Sequence, residues 1–257
     1  MVEFPARIEL IALPGFPLVV PGDDLAGLVA EGVARAGQRL QDGDVVVLAQ
    51  KIVSKAEGRR VDLAGVEPSP EARALAAQVL KDPRLVELVL RESRRVVRAR
   101  PHVLIVEHRL GLIMANAGID QSNVAAGGGE VALLLPQDPD ASAQALRARL
   151  GEISGAEIGV VINDSFGRPW RRGTTGIAIG SAGLPALVDR RGEPDLFGRA
   201  LQVTMIGFAD EIAAAASLLM GQADEGRPAV LMRGLCWSAP ASPASELIRP
   251  EAEDLFR

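Results

Sequence analysis

The chain has 257 residues and a formal net charge of −5, with 48% hydrophobic residues but only 3% aromatic and no tyrosine. That length suits one hydrophobic core, at most in two lobes. The mild acidity argues against nucleic-acid binding by bulk electrostatics, and the scarcity of aromatics argues against stacking on single strands.

A single cysteine, Cys236, excludes an intramolecular disulfide and any multi-cysteine metal site. Its neighbours Leu235 and Trp237 suggest a packed thiol. The opening residues lack a signal-peptide succession, and no apolar stretch reaches the roughly 18 residues that span a bilayer, so a cytoplasmic protein without membrane contact is expected.

The segment to Val20 is apolar and punctuated by Pro14, Gly15 and Pro17, which reads as a strand entering a shaped loop. Leu25, Leu28, Val29 and Val33 follow helical spacing and predict a helix over 23–40. The turn Asp42-Gly43-Asp44 leads into a buried strand over 45–49, with Lys51 and Lys55 just beyond it. Helices are predicted over 69–80 and 83–92, the second capped by Asp82 with Pro83 at its first position. The basic run Arg91, Arg94, Arg95, Arg98 and Arg100 reads as a solvated helix face and its exit, or alternatively as a patch facing a phosphorylated substrate.

Strands over 103–107 and 112–115 are too close for a crossover helix and must form an antiparallel hairpin. An apolar run over 131–135 precedes a helix from Asp138-Pro139 to about Leu150. Later strands are expected over 158–162, 176–179, 201–207 and 229–232, with an Ala-rich helix over 210–220. Hairpins alternating with single helices point to an α+β fold with mixed and antiparallel sheets and inserted helices. The Pro/Ala/Ser/Glu-rich segment 238–257 reads as a loosely packed tail behind a single domain over 1–237.

Several familiar chemistries are missing. There is no Walker loop, Rossmann glycine fingerprint or G-x-S-x-G elbow. His102 and His108 flank a strand without cysteine or histidine partners at metal spacing, and read as structural. Three polar sets remain. Residues 118–123 carry Asp120 and Asn123, which an Asx turn alone explains. The strand over 158–162 runs out at Asp164-Ser165, followed by a Gly-, Pro- and Arg-dense segment, where a plain loop and a phosphate-facing loop stay equally open. Residues 220–228 bracket an amide, two carboxylates and a guanidinium with glycines, of which a helix C-cap explains only Gly221. These oxygen donors favour magnesium or manganese over zinc or copper. Lys51 and Lys55 suit phosphate charge, though lysines at a strand end are usually just solvated.

Taken in order, the segments 13–18, 42–44, 51–59, 116–123, 164–169, 189–192 and 220–226 resemble the coenzyme F420-0:L-glutamate ligase family, over roughly residues 8–235. The resemblance implies a homodimer with a fold particular to that family. It also implies GTP, two magnesium or manganese ions with potassium as a helper, and F420-0 and L-glutamate as substrates. Carried over by position, Asp120, Asp164, Ser165 and Gln222 are the metal ligands. The nucleotide contacts are Phe16, Pro17, Leu18, Val19, Gln50, Lys51, Lys55, Asn123, Met220, Gly221, Gln222, Ala223, Asp224, Glu225, Gly226 and Arg227. The implied reaction activates the acceptor carboxylate as an acyl phosphate, so no covalent protein nucleophile is expected. Competing readings are a ligase for another carboxylate acceptor, a metal-dependent phosphohydrolase and a catalytically silent nucleotide-binding subunit. The glycine-rich segment 125–130 looks longer than in related sequences.

Overall fold

The computed structural model describes residues 2–3, 6–121 and 130–254. Strands β1 (Val2–Glu3) and β2 (Glu9–Ala12) lead through a loop to α1 (Leu25–Arg35), where the Asp24 carboxylate accepts the Gly27 N–H. The helix ends earlier than its apolar spacing predicts, because Gly37 adopts φ +69° and the Gln38 N–H turns back to the Val33 carbonyl. Strand β3 (Val45–Ala49) passes without a loop into α2 (Gln50–Ala56), a short helix that the sequence periodicity did not signal. After β4 (Arg60–Asp62), α3 (Pro70–Val79) and α4 (Pro83–Arg91) begin at Ser69 and Asp82, each with proline at the start. Asp82 accepts the Arg84 N–H at 2.8 Å, as expected of that cap.

The arginine run departs from its expected place. Only Arg91 is helical, and Arg94, Arg95, Arg98 and Arg100 lie on β5 (Ser93–Arg100). Its paired valines suit a strand, and as the edge of a three-stranded sheet it can carry charge into solvent. β5 pairs with β6 (Val103–His108), which forms the expected antiparallel hairpin with β7 (Ile113–Ala115). Next come β8 (Val131–Leu133) and α5 (Pro139–Ser154), capped by Asp138 and Gly155 and one turn longer than predicted.

β9 (Gly159–Arg168) and β10 (Arg171–Ala182) form one long hairpin, so Asp164 and Ser165 sit in strand rather than loop. β11 (Val188–Asp189) pairs with β12 (Met205–Ile206), which is all that forms of the strand predicted over 201–207. The remainder of that stretch pairs locally, with Gly192 and Leu201 bonded across a turn. α6 (Phe208–Met220), β13 (Ala229–Arg233) and β14 (Cys236–Trp237) complete the α-helices and strands of the described residues.

The central sheet has the order β10-β9-β3-β13-β2, with β3 and β9 parallel and the other pairs antiparallel. This mixed sheet with helices on both faces is the expected α+β architecture. Val46 and Leu48 point into a core shared with α1 and α5, and Val45 and Val47 into one shared with α6. Burial on both faces explains why β3 is apolar at every position. A third cluster places α3 and α4 against Leu104 and Val106 of β6. α6 presses so closely on β10 that a Cβ at Gly176 would fall 2.1 Å from Ser217 Oγ.

One expectation near the C-terminus is corrected: Cys236 is exposed, on a β14 that among the described residues pairs with the two-residue β1. Residues 244 and 245 of the following segment are held where Asp140 accepts the N–H groups of Ser181, Ala244 and Ser245 at 2.9, 2.7 and 3.2 Å. Among the described residues, no helix is long and apolar enough to cross a membrane.

Candidate functional site

Strand direction builds the site. Because β3 and β9 run parallel with Ala49 opposite Asn163, both reach the same edge of the sheet with their C-terminal ends. β13 runs against them, so the segment joining α6 to β13 arrives at that edge too. The resulting cleft, about 810 Å³, is lined by residues 16–20, 49–52, 163–165 and 220–228 together with Lys55, Arg60 and Asp120.

The structure thus brings together every candidate from the sequence except Asn123, which lies outside the described residues. Arg60 and Asn163 are additions. Asn163 is buried, and its Nδ2 donates to Ser217 Oγ at 3.0 Å and approaches Met220 Sδ at 3.3 Å. It pins the end of α6, and so the start of segment 220–228, to β9. Its position just before Asp164 was the only sequence signal available.

Asp120 is carried into the cleft by a two-way backbone pairing with Leu133, at 3.0 and 2.8 Å. On the other side, α2 presents Gln50 and Lys51. Ser54 Oγ donates to Gln50 Oε1 at 3.0 Å, which turns the Gln50 amide nitrogen toward Asp120 Oδ2 at 2.8 Å. Lys51 Nζ stands 3.4 Å from Asp120 Oδ1. Burial raises the Asp120 carboxyl above its ordinary range, with Lys51 and Gln50 opposing the rise.

Asp164 is more strongly perturbed. Burial and the neighbouring Asp120 charge push its carboxyl up to about 7, against the pull of the Ser165 N–H and Lys51. Ser165 Oγ donates to Gln222 Oε1 at 2.8 Å, so the hydroxyl and amide expected as ligands already meet. Burial, Arg60 and Lys51 together push the Lys55 amine below its usual value.

Segment 220–226 is held by its own acidic residue. The Glu225 carboxylate accepts the Ala223 N–H at 2.8 Å, and this bond leads the backbone contacts that keep it below the usual carboxylate range. Gly221 has φ +73°, which favours glycine, and a Cβ there would lie 2.1 Å from the Glu225 carboxyl carbon and displace that carboxylate.

Two mutually repelling carboxylates under-neutralised by lysine suit a divalent cation. Among the described residues no three His, Cys, Asp or Glu side chains gather as a metal cage. The donors are instead mixed carboxylate, hydroxyl and amide oxygens, the hard set that magnesium and manganese accept when water and phosphate complete their shells.

Comparison with known proteins identifies the family of the chain. The family described as F420-0:Gamma-glutamyl ligase matches residues 15–234. The chain is 48% identical over 252 residues to the coenzyme F420:L-glutamate ligase of Methanothermobacter thermautotrophicus, covering 97% of this chain and 99% of that one. It is also 48% identical to the protein of the same description from Methanopyrus kandleri over 256 residues, covering 98% and 97% of the two chains. The corresponding figures for Archaeoglobus fulgidus are 45% over 251 residues, 98% and 97%. With the family model matching residues 15–234 and the relatives matching nearly end to end, the chain belongs to the F420-0:gamma-glutamyl ligase family.

Proposed function

We propose that this protein joins L-glutamate to coenzyme F420-0, driven by GTP and a divalent metal, and adds further γ-linked glutamates in later rounds. The observation that carries the reading is the meeting of Asp120, Asp164, Ser165 and Gln222 in one cleft with Lys51 and Lys55. Those four would hold one or two magnesium or manganese ions, with potassium as a possible helper. A divalent ion there supplies charge neutralisation to the triphosphate oxygens.

Residues 16–19 and 220–227 flank the cleft where the nucleotide would lie, with Gln50, Lys51 and Lys55 on its floor. An entering triphosphate would favour the charged form of Lys55, reversing the effect of burial. An oxygen of the acceptor carboxylate attacks the γ-phosphorus, and GDP leaves. The amine of L-glutamate then attacks the acyl carbon of the resulting acyl phosphate, and inorganic phosphate departs as the amine loses its proton. The protein's contribution is positioning and fixed charge, so no side chain needs to become a nucleophile. A homodimer is part of the same reading.

The test is mass spectrometry of F420-0 incubated with the protein, GTP, L-glutamate and manganese. A glutamate-sized gain that requires both GTP and metal is expected, and successive gains would give the tail length. Phosphate release from GTP with no gain on F420-0 would instead favour a phosphohydrolase.

A further inference from the structure

The β9–β10 hairpin continues past Ser165 to a tip that the cleft does not use. Two features of that tip are unusual. Trp170 stands at the turn, 82% exposed, with φ +59°, a conformation that a bulky residue adopts only against its preference. Arg168, the last residue of β9, has its Nη1 buried without a hydrogen-bond partner among the described residues. A buried guanidinium nitrogen without an acceptor calls for an anion.

The strand relates this tip to the chemistry. β9 has no bulge between Asp164 and Arg168, since the extra residues of the hairpin fall on β10. Asp164, Phe166 and Arg168 therefore alternate onto one face, with Phe166 buried in the core between the two polar residues. Four residues at about 3.3 Å each separate the Asp164 and Arg168 backbones by about 13 Å.

We propose that the hairpin tip is the second anchor of the acceptor: Trp170 offers a flat face to an aromatic ring, and Arg168 a cation to an anionic group of the same molecule. The acceptor's reacting carboxylate then reaches the Asp164 end of the strand. This rests on the function proposed above and adds which part of the chain selects the acceptor. The class it fits is a planar heteroaromatic that carries an anionic group between ring and carboxylate. Arginines 171 and 172, both exposed beside Trp170, extend the positive rim.

The experiment compares the unsubstituted protein with Trp170→Ala, Trp170→Phe, Arg168→Ala and Arg168→Lys. Steady-state ligation gives KM for F420-0 and for GTP. Calorimetric titration of F420-0 without nucleotide or metal gives its affinity directly. Stacking losses of the usual size predict about a tenfold rise in the F420-0 KM and Kd for Trp170→Ala, with the GTP KM within about twofold. Trp170→Phe should recover most of the loss, and Arg168→Lys more than Arg168→Ala. An unchanged F420-0 KM in both alanine variants, a GTP KM that rises in parallel, or a change of oligomeric state alone would overturn the assignment. No ligation by the unsubstituted protein would instead overturn the functional reading, and the acceptor subsite with it.

Discussion

On the proposed metal-binding role, the raised Asp164 carboxyl should make metal affinity depend on pH in a range where ordinary carboxylates are silent. With its midpoint at about 7, Asp164 is roughly nine-tenths ionised at pH 8 and one-tenth at pH 6. A divalent ion binds the ionised form, so the apparent affinity for manganese should fall about tenfold between those values. An aspartate near 3.8 would remain ionised throughout and contribute no change. Calorimetric titration of manganese at pH 6, 7 and 8, in buffers of different ionisation enthalpy, measures the affinity and the protons released. About one proton per ion should leave at pH 6 and almost none at pH 8.

The same group sets a stability trend in the metal-free protein. Its folded value lies above its unfolded one, so the native state holds the extra proton between about pH 4 and 7, and stability declines as pH rises through that window. Asp164→Asn should therefore raise the metal-free Tm at pH 8 more than at pH 5, while abolishing manganese binding. A flat manganese affinity from pH 6 to 8, or a variant that keeps its metal, would refute this reasoning.

Three further outcomes follow from named contacts. Asp140→Ala leaves the N–H groups of Ser181, Ala244 and Ser245 without their acceptor, and should cost about 2–4 kcal/mol in urea unfolding and loosen the tail to proteolysis. For Glu92, burial disfavours the charge, but His108, Arg109 and Arg59 together outweigh it and hold the carboxyl at about 2. Its folded value is depressed, so its stabilisation, about 3 kcal/mol at most, is present above about pH 4.5 and fades toward pH 2. Glu92→Gln should flatten the acid limb of the unfolding midpoint against pH. Gly221→Ala puts a side chain at φ +73° and into the space of the Glu225 carboxylate, and should lower Tm by several degrees and weaken GTP binding about tenfold in equilibrium titration.

Much of the fold was legible because its signals are local. The five apolar residues of β3 announce burial on both faces, Asp82-Pro83 and Asp138-Pro139 announce helix starts, and the short gap at 109–111 permits only a hairpin. The segments around Asp120, Asp164 and Gln222 stood out by residue type, and their order along the chain carried the family resemblance. Beyond that, the sequence is silent where geometry depends on distant partners. α2 is too short for periodicity to reveal, and its role in aiming Gln50 and Lys51 at Asp120 requires a residue 70 positions away.

The arginines of β5 look like a helix exit until β6 supplies their pairing, and residues 244 and 245 look loose until Asp140 collects their amides. Composition and pattern determined which segments are helices, strands and polar junctions, since propensity, capping and alternation act over a few residues. Only the tertiary structure decided that β3 and β9 run parallel, with the end of β3 opposite Asn163. That register sets Asp164 beside the start of α2, the Leu133 pairing brings Asp120 to the same cleft, and burial and repulsion, which no local pattern encodes, make Asp164 unusual.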